Sequence, residues 1–312
     1  MALLITTLAI TIVANLFWQQ QVQVRAIDNQ RLQLQKKWIL RGALDWASLI
    51  LREDAKHSSV DTLDEPWAVP LAETHLDQYV ENGQSDSDAA DTTLSGNITD
   101  AQGRFNLKNL CPNGTIDPVA VAAFASLLTL LHIDPALAPA TAYQLKLAGA
   151  SMPLLPHQPL GAAAASSVQN AVIATTNSGP QNMGYTQIED LLTVPGLTAA
   201  LLEQLRPYVI FLPRSTTLNI NTAPAEVISA IVGISLDSAN VLVTSRKAAS
   251  FNNLADVSKR LPNNTFNAAN LSVTSNYFLI DGQVHMNRAR LDMQALIERN
   301  GATTQLLWIR EF

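Results

Sequence analysis

Residues 219–257 read NINTAPAEVISAIVGISLDSANVLVTSRKAASFNNLADV. Apolar positions at helical spacing stop at Gly233, and a second helical run begins within a few residues. Thr222 is placed to cap the first helix, with Pro224 tolerated in its opening turn. Arg246 and Lys247 close the second helix. That outline is a helix-hairpin-helix, a unit that grips nucleic-acid backbones through amides at a Gly turn and flanking Lys or Arg. A second copy precedes it at Tyr185–Val209 (YTQIEDLLTVPGLTAALLEQLRPYV), where a helix ends at Gly196.

Phosphate binding requires an excess of positive charge, and the hairpin region has none. Six basic residues (Arg206, Arg214, Arg246, Lys247, Lys259, Arg260) are matched by six acidic ones (Glu189, Asp190, Glu203, Glu226, Asp237, Asp256). Asp237 lies close to where a phosphate would sit. The whole chain carries a formal charge of −6 and a pI near 5.3, the opposite of a general polyanion binder. The hairpins therefore read as scaffold. The competing reading is a membrane-anchored DNA-uptake receptor, which requires a basic face and salt-dependent binding.

Outward from this region, the N-terminus is of a different kind. Met1–Trp18 (MALLITTLAITIVANLFW) holds no charge, and Asn15 is its only strongly polar member. At helical rise it reaches about 27 Å, close to a bilayer core. Trp18 stands at an interfacial position and Arg25 is the first charge. A cleaved signal peptide fits less well, because a basic n-region and an Ala-x-Ala site are both missing. An anchor over 1–18 is expected, continued by an amphipathic spine helix over 19–56. In that spine Ile39, Ala43, Trp46 and Ile50 step by four, three and four. With Trp38 at its edge, this stripe is the candidate surface for the protein's own sheet or for a partner.

Beyond the spine, strand-like pieces are predicted at Thr74–Val80, at Thr93–Ile98 and in GRFNLKNL (103–110). Between them ENGQSDSDAAD (81–91) reads as a solvated loop; Asp86, Asp88 and Asp91 lack the glycine and closing Glu of a calcium loop. An Ala- and Leu-rich helical block follows, with a long insert near 149–184 rich in Pro, Gly, Ser and Asn. The last forty residues alternate and carry an Asn300-Gly301 turn, which predicts closing antiparallel strands. The expected division is a first α/β part over 57–116, an inserted helical domain over 117–272 and closing strands over 273–312.

Nothing in the sequence proposes catalysis. His57, His75, His132, His157 and His285 are dispersed, without the spacing of a ligand pair. Nucleophile-elbow, P-loop and dinucleotide fingerprints are missing. Cys111 is the only cysteine, so an internal disulfide is excluded.

Four stretches taken in order carry a family resemblance. They are FWQQQVQVR (17–25) with LQKKWILRGALDWASLILREDAKHSSVDTLDEPWA (34–68), then ITDAQGRFNLKNL (98–110), LNINTAPAEVISAI (218–231) and TSNYFLI (274–280). Together they resemble the K-type minor pseudopilins of type II secretion systems. The resemblance implies an α+β fold. A pilin-like long N-terminal helix lies on a small antiparallel sheet, with a large inserted all-α domain of helix-hairpin-helix-like units. It also implies a non-enzymatic subunit of the inner membrane, with its bulk in the periplasm, that caps the pseudopilus tip and nucleates its assembly. Implied partners are the I- and J-type minor pseudopilins, then the H-type and the major pseudopilin, with secreted cargo or the outer-membrane channel beyond. Most pseudopilins carry Glu at the fifth mature position and K-type members lack it; here no acid precedes Asp28. The family's acidic calcium segment is also lost, since no carboxylate occurs from Gly149 to Thr186 and a hard cation needs several such oxygens. No cofactor and no metal are therefore expected. The interface candidates are Trp38, Ile39, Ala43, Trp46 and Ile50.

Overall fold

The computed structural model describes residues 2–76, 92–149, 184–260, 268–286 and 289–312. Proline is missing from the first 65 residues and Gly42 is their only glycine, so nothing breaks helix α1, which runs Ala2–His57. Its 56 residues span about 84 Å at helical rise. Contacts divide the chain into two units, Met1–Asp100 with Asn276–Phe312, and Ala101–Ser275.

In the first unit, β1 (Leu71–His75), β2 (Thr92–Asp100), β7 (Tyr277–Met286), β8 (Ala289–Asn300) and β9 (Thr303–Glu311) form one antiparallel sheet in the order β1-β2-β7-β8-β9. The period-two pattern sends Leu94, Phe278, Ile280, Val284, Met293 and Ile297 to one face. There they pack with Leu40, Leu44, Ala47 and Leu51 of α1. Asn300 pairs with Thr303 across a two-residue turn, where Gly301 takes φ +56°, the left-handed geometry such turns require. The closing strands form a three-stranded meander.

Two glycines permit close approaches at the centre of this sheet, Gly96 between strands and Gly282 beneath the helix. Gly96 and Gly282 stand opposite each other on β2 and β7. A Cβ on Gly96 would lie 2.7 Å from the Asp281 carbonyl oxygen, and one on Gly282 would lie 3.3 Å from both Leu40 Cδ2 and Met293 Cε.

The second unit is helical: α2 (Pro118–Leu130), α3 (Leu137–Gly149), α4 (Ala199–Leu205), α5 (Ala225–Val232), α6 (Leu236–Ala248) and α7 (Leu254–Arg260). Asp117 caps α2, accepting from the Val119 N–H at 2.8 Å. Short parallel pairs, β3 (Phe105–Asn106) with β4 (Val209–Ile210) and β5 (Leu218–Asn219) with β6 (Leu271–Ser272), close the unit. Phe105 and Phe124 stack at 5.3 Å in its core.

Several expectations change. Of the strand expected in GRFNLKNL, only Phe105–Asn106 is extended, and it pairs inside the helical unit. The boundary therefore falls after Asp100 rather than at 117, and the closing segment begins at Asn276 rather than 273. Of the strand expected at Thr74–Val80, β1 ends at His75, and residues 77–91 lie outside the described residues, as do 150–183 of the insert. Among the described residues no helix is long and apolar enough to cross a membrane.

The glycine geometry yields a direct expectation. Gly96→Ala drives a methyl group into the Asp281 carbonyl and should destabilise the first unit by about 1–3 kcal/mol, read as a lower urea midpoint with an unchanged slope.

A candidate docking groove and the hairpin unit

An apolar groove of about 340 Å³ opens between α1 and the sheet in the first unit. Gly96 and Gly282 are among the sheet residues that line it. Ala43, Trp46 and Ile50 of α1 form one wall, and Trp67, Val69 and Leu71 the other. Trp67 is itself buried, its indole N–H donating to Glu65 Oε2 at 2.8 Å. Its ring meets Phe278 edge-on at 5.2 Å.

The predicted interface residues divide between several environments. The row buried against the sheet is Leu40, Leu44, Ala47 and Leu51, which has the predicted four-three-four step displaced by one residue. Ile39, Ala43 and Ile50 flank that row and pack partly against the core. Trp46 is 49 % exposed at the groove, while Trp38 is 72 % exposed and is not among the groove-lining residues. The structure thus brings Ala43, Trp46 and Ile50 together and leaves Trp38 and Ile39 apart from them.

Sequence reasoning missed a charged cluster at the end of the same helix. Arg299 of β8 donates to Asp54 Oδ2 at 2.8 Å and to Asp61, and its guanidinium lies 4.5 Å over the Phe278 ring. Glu65 completes the cluster: its carboxylate lies with those of Asp54 and Asp61 within 4.8 Å, the arrangement among described residues nearest to a metal-ligand set. Arg299 already provides the cation there, so the geometry describes an ion-pair cluster. Burial, reinforced by the Glu65 charge, lifts Asp54 from 3.8 to about 6, against the opposing pull of Arg299. No spacing rule joins residues so distant in sequence; the only local sign was Asp54 facing inward on α1, one turn beyond Ile50.

The hairpins turn their basic groups to structural use. Arg246 is buried and donates from one nitrogen to the Ile220 and Ala223 carbonyls at 2.7 and 2.6 Å, and burial lowers its pKa to about 10. Arg260 donates to Ala249 O at 2.6 Å and stacks on Phe251 at 4.5 Å, occupying carbonyls that the end of α6 leaves unpaired. Asn221 exchanges two hydrogen bonds with the Phe251 backbone, and Asn219 accepts from the Asn221 N–H at 3.0 Å. Thr222 does not cap α5, because its hydroxyl donates to Asn219 O at 3.3 Å and Pro224 takes the cap position. Gly233 and Gly196 adopt φ +77° and +95°, as the turns demand, but the helix expected before Gly196 is a 3₁₀ turn over Ile188–Thr193. Cys111 is buried, and burial raises its thiol pKa further from reactivity.

A long N-terminal helix laid on an antiparallel sheet, with a hairpin-built helical unit between its strands, is a pilin-like architecture. A chain of the crystal structure of the GspK–GspI–GspJ complex from the type 2 secretion system of enterotoxigenic Escherichia coli shares this fold. The TM-score is 0.68 at 22 % identity, covering 92 % of this chain and 99 % of that one. Family models described as type II secretion system protein K match residues 103–214 and 218–274. Type II secretion system protein K of Pseudomonas aeruginosa is 26 % identical over 306 residues, 95 % of this chain and 86 % of that protein. The Klebsiella pneumoniae protein K is 29 % identical over 294 residues, covering 91 % and 84 %. The chain belongs to the type II secretion system protein K family, whose members are minor pseudopilins.

Two outcomes are expected from this geometry. Arg246→Met strands two buried carbonyls and should cost about 2–4 kcal/mol by chemical denaturation; unchanged stability would return Arg246 to a surface role. For Asp54, the folded chain holds a proton that the unfolded chain releases between about pH 4 and pH 6, so its contribution to stability falls as pH rises through that window. Stability measured from pH 4 to 7 should therefore decline more steeply in the wild type than in Asp54→Asn.

Proposed function

We propose that this minor pseudopilin caps the tip of the periplasmic pseudopilus with I- and J-type partners and nucleates its assembly for protein export. The observation that carries this reading is α1 itself. Its row Leu40–Leu51 is already used by the sheet, yet Leu34, Trp38, Trp46 and Leu49 remain exposed on the same helix, beside an apolar groove. A helix apolar on more than its core face is suited to a partner. The similar fold solved as a GspK–GspI–GspJ complex supports I- and J-type subunits as those partners, with the H-type and major pseudopilins following. The helical unit would stand beyond them, available to secreted cargo or the outer-membrane channel.

The first third of α1 anchors the chain singly in the inner membrane, leaving the bulk in the periplasm. The uncharged run Met1–Trp18 supports this, as does the Thr11 hydroxyl, which donates to Thr7 O at 3.1 Å and so needs no water in an apolar layer. The role is one of assembly rather than catalysis, without nucleic acid as a partner, because Arg246 and Arg260 serve backbone carbonyls. The carboxylate-free run from Gly149 to Thr186 supports a helical unit that works without the family's calcium.

The reading is tested by capture of the purified I- and J-type soluble domains on the periplasmic portion from Gln19 onward. Stable three-way association is expected, weakened about 30-fold by Trp46→Asp in a variant whose circular dichroism matches the wild type. Undiminished capture by the folded variant would remove Trp46 from the interface, and no capture by the wild type would overturn the assembly reading.

A further inference from the structure

We propose that Asp54, Asp61, Glu65 and Arg299 form a proton-responsive latch that sets how firmly the groove wall at Trp67 is held, and so how well the groove receives a partner. The second half of this proposal rests on the groove being a docking face, as inferred above; the first half does not.

The charge balance makes the cluster responsive. Three carboxylates converge within 4.8 Å on a single guanidinium, with the Asp54 and Asp61 side chains 6 % and 3 % exposed. Fully ionised, the group carries two negative charges in excess in a nearly dry site, where like charges repel strongly. One proton relieves much of that strain, and Asp54 is the place for it. Asp61 also accepts from Arg299. Glu65 Oε2 accepts from the Thr62 N–H at 2.9 Å and from the Trp67 indole at 2.8 Å. Asp54 shares Arg299 while facing both other acids, and it is the group whose pKa is lifted to about 6.

The charged groups facing Asp54 are these: Asp61 and Glu65 from the segment after the helix, and Arg299 from β8. On α1 itself, Glu53 is drawn outward to Lys56 at 2.6 Å and His57 is exposed. Glu298, next to Arg299, instead accepts from the Tyr277 hydroxyl at 3.1 Å.

Two contact paths carry the charge state to the groove. Glu65 holds the Trp67 indole directly. Arg299 lies on the Phe278 ring, against which Trp67 packs edge-on. With Asp54 neutral, Arg299 is committed to Asp61, Glu65 meets less repulsion, and Trp67 is firmly seated. With Asp54 ionised, Arg299 is divided and Glu65 is pushed away, so the wall at Trp67 loosens.

The test uses the full chain in phospholipid nanodiscs, with tryptophan fluorescence followed from pH 5 to 8. A transition centred near pH 6 is expected in the wild type and should be lost in Asp54→Asn and in Trp67→Phe. Glu65→Gln should lower the midpoint by about half a pH unit or more. A flat wild-type curve, or one that survives Asp54→Asn unchanged, overturns the latch. Capture of the I- and J-type soluble domains at pH 5.5 and 7.5 reads the second half. Binding about threefold weaker at pH 7.5 is expected in the wild type, with no such difference in Asp54→Asn. Equal capture at both pH values overturns the coupling to docking. A fluorescence transition without capture at either pH leaves the latch standing and instead overturns the assembly reading.

Discussion

Leu40, Leu44, Ala47 and Leu51 lie against the apolar face of β2 and β7, and the first unit is organised around that contact. Leu40 of the helix lies close to the sheet at Gly282, where a side chain would meet it, while Gly96 lets β2 pass the Asp281 carbonyl of β7. Both glycines also line the groove. The core of the unit and its candidate docking surface thus adjoin at Gly282.

The end of that contact is sealed electrostatically rather than by further apolar packing. Arg299 reaches from β8 to the last turns of α1 and to the segment behind it, binding Asp54 and Asp61 while covering Phe278. A buried charge cluster contributes less net stability than an apolar plug of equal size, because desolvation offsets the attraction. It does something an apolar plug cannot: it makes the groove wall answer to protonation. The helical unit uses its charges in a different way. Arg246 and Arg260 each satisfy backbone carbonyls around a hairpin; Asn221 donates to the Phe251 carbonyl, and Asn219 accepts from the Asn221 N–H. A motif that elsewhere meets phosphate is here held together by its own cations.

Much of this was legible along the chain. The unbroken run before Pro66 gave the long helix, the alternation after Asn276 gave the closing strands, and the balanced charges over 185–262 argued for the hairpins as scaffold. Less legible was which row of α1 faces inward. Ile39, Ala43, Trp46 and Ile50 share a step with Leu40, Leu44, Ala47 and Leu51, and both rows are apolar. Periodicity reports the spacing of a face but does not choose between adjacent apolar rows; that choice is made by packing against the sheet's apolar face. The boundary after Asp100 escaped for a related reason. GRFNLKNL has the composition of a strand, but its partner, Val209–Ile210, lies about a hundred residues away in the helical unit.

The sequence by itself determined the spine helix, the closing strands and the charge balance of the hairpin region, because these follow from local propensity and summed charge. Only the tertiary structure decided which side of α1 remains open, that Arg246 points inward, and that Asp54, Asp61, Glu65 and Arg299 meet. Those are matters of contact between residues separated by up to 245 positions, and distance in space between such residues is set by packing, which no spacing along the chain encodes.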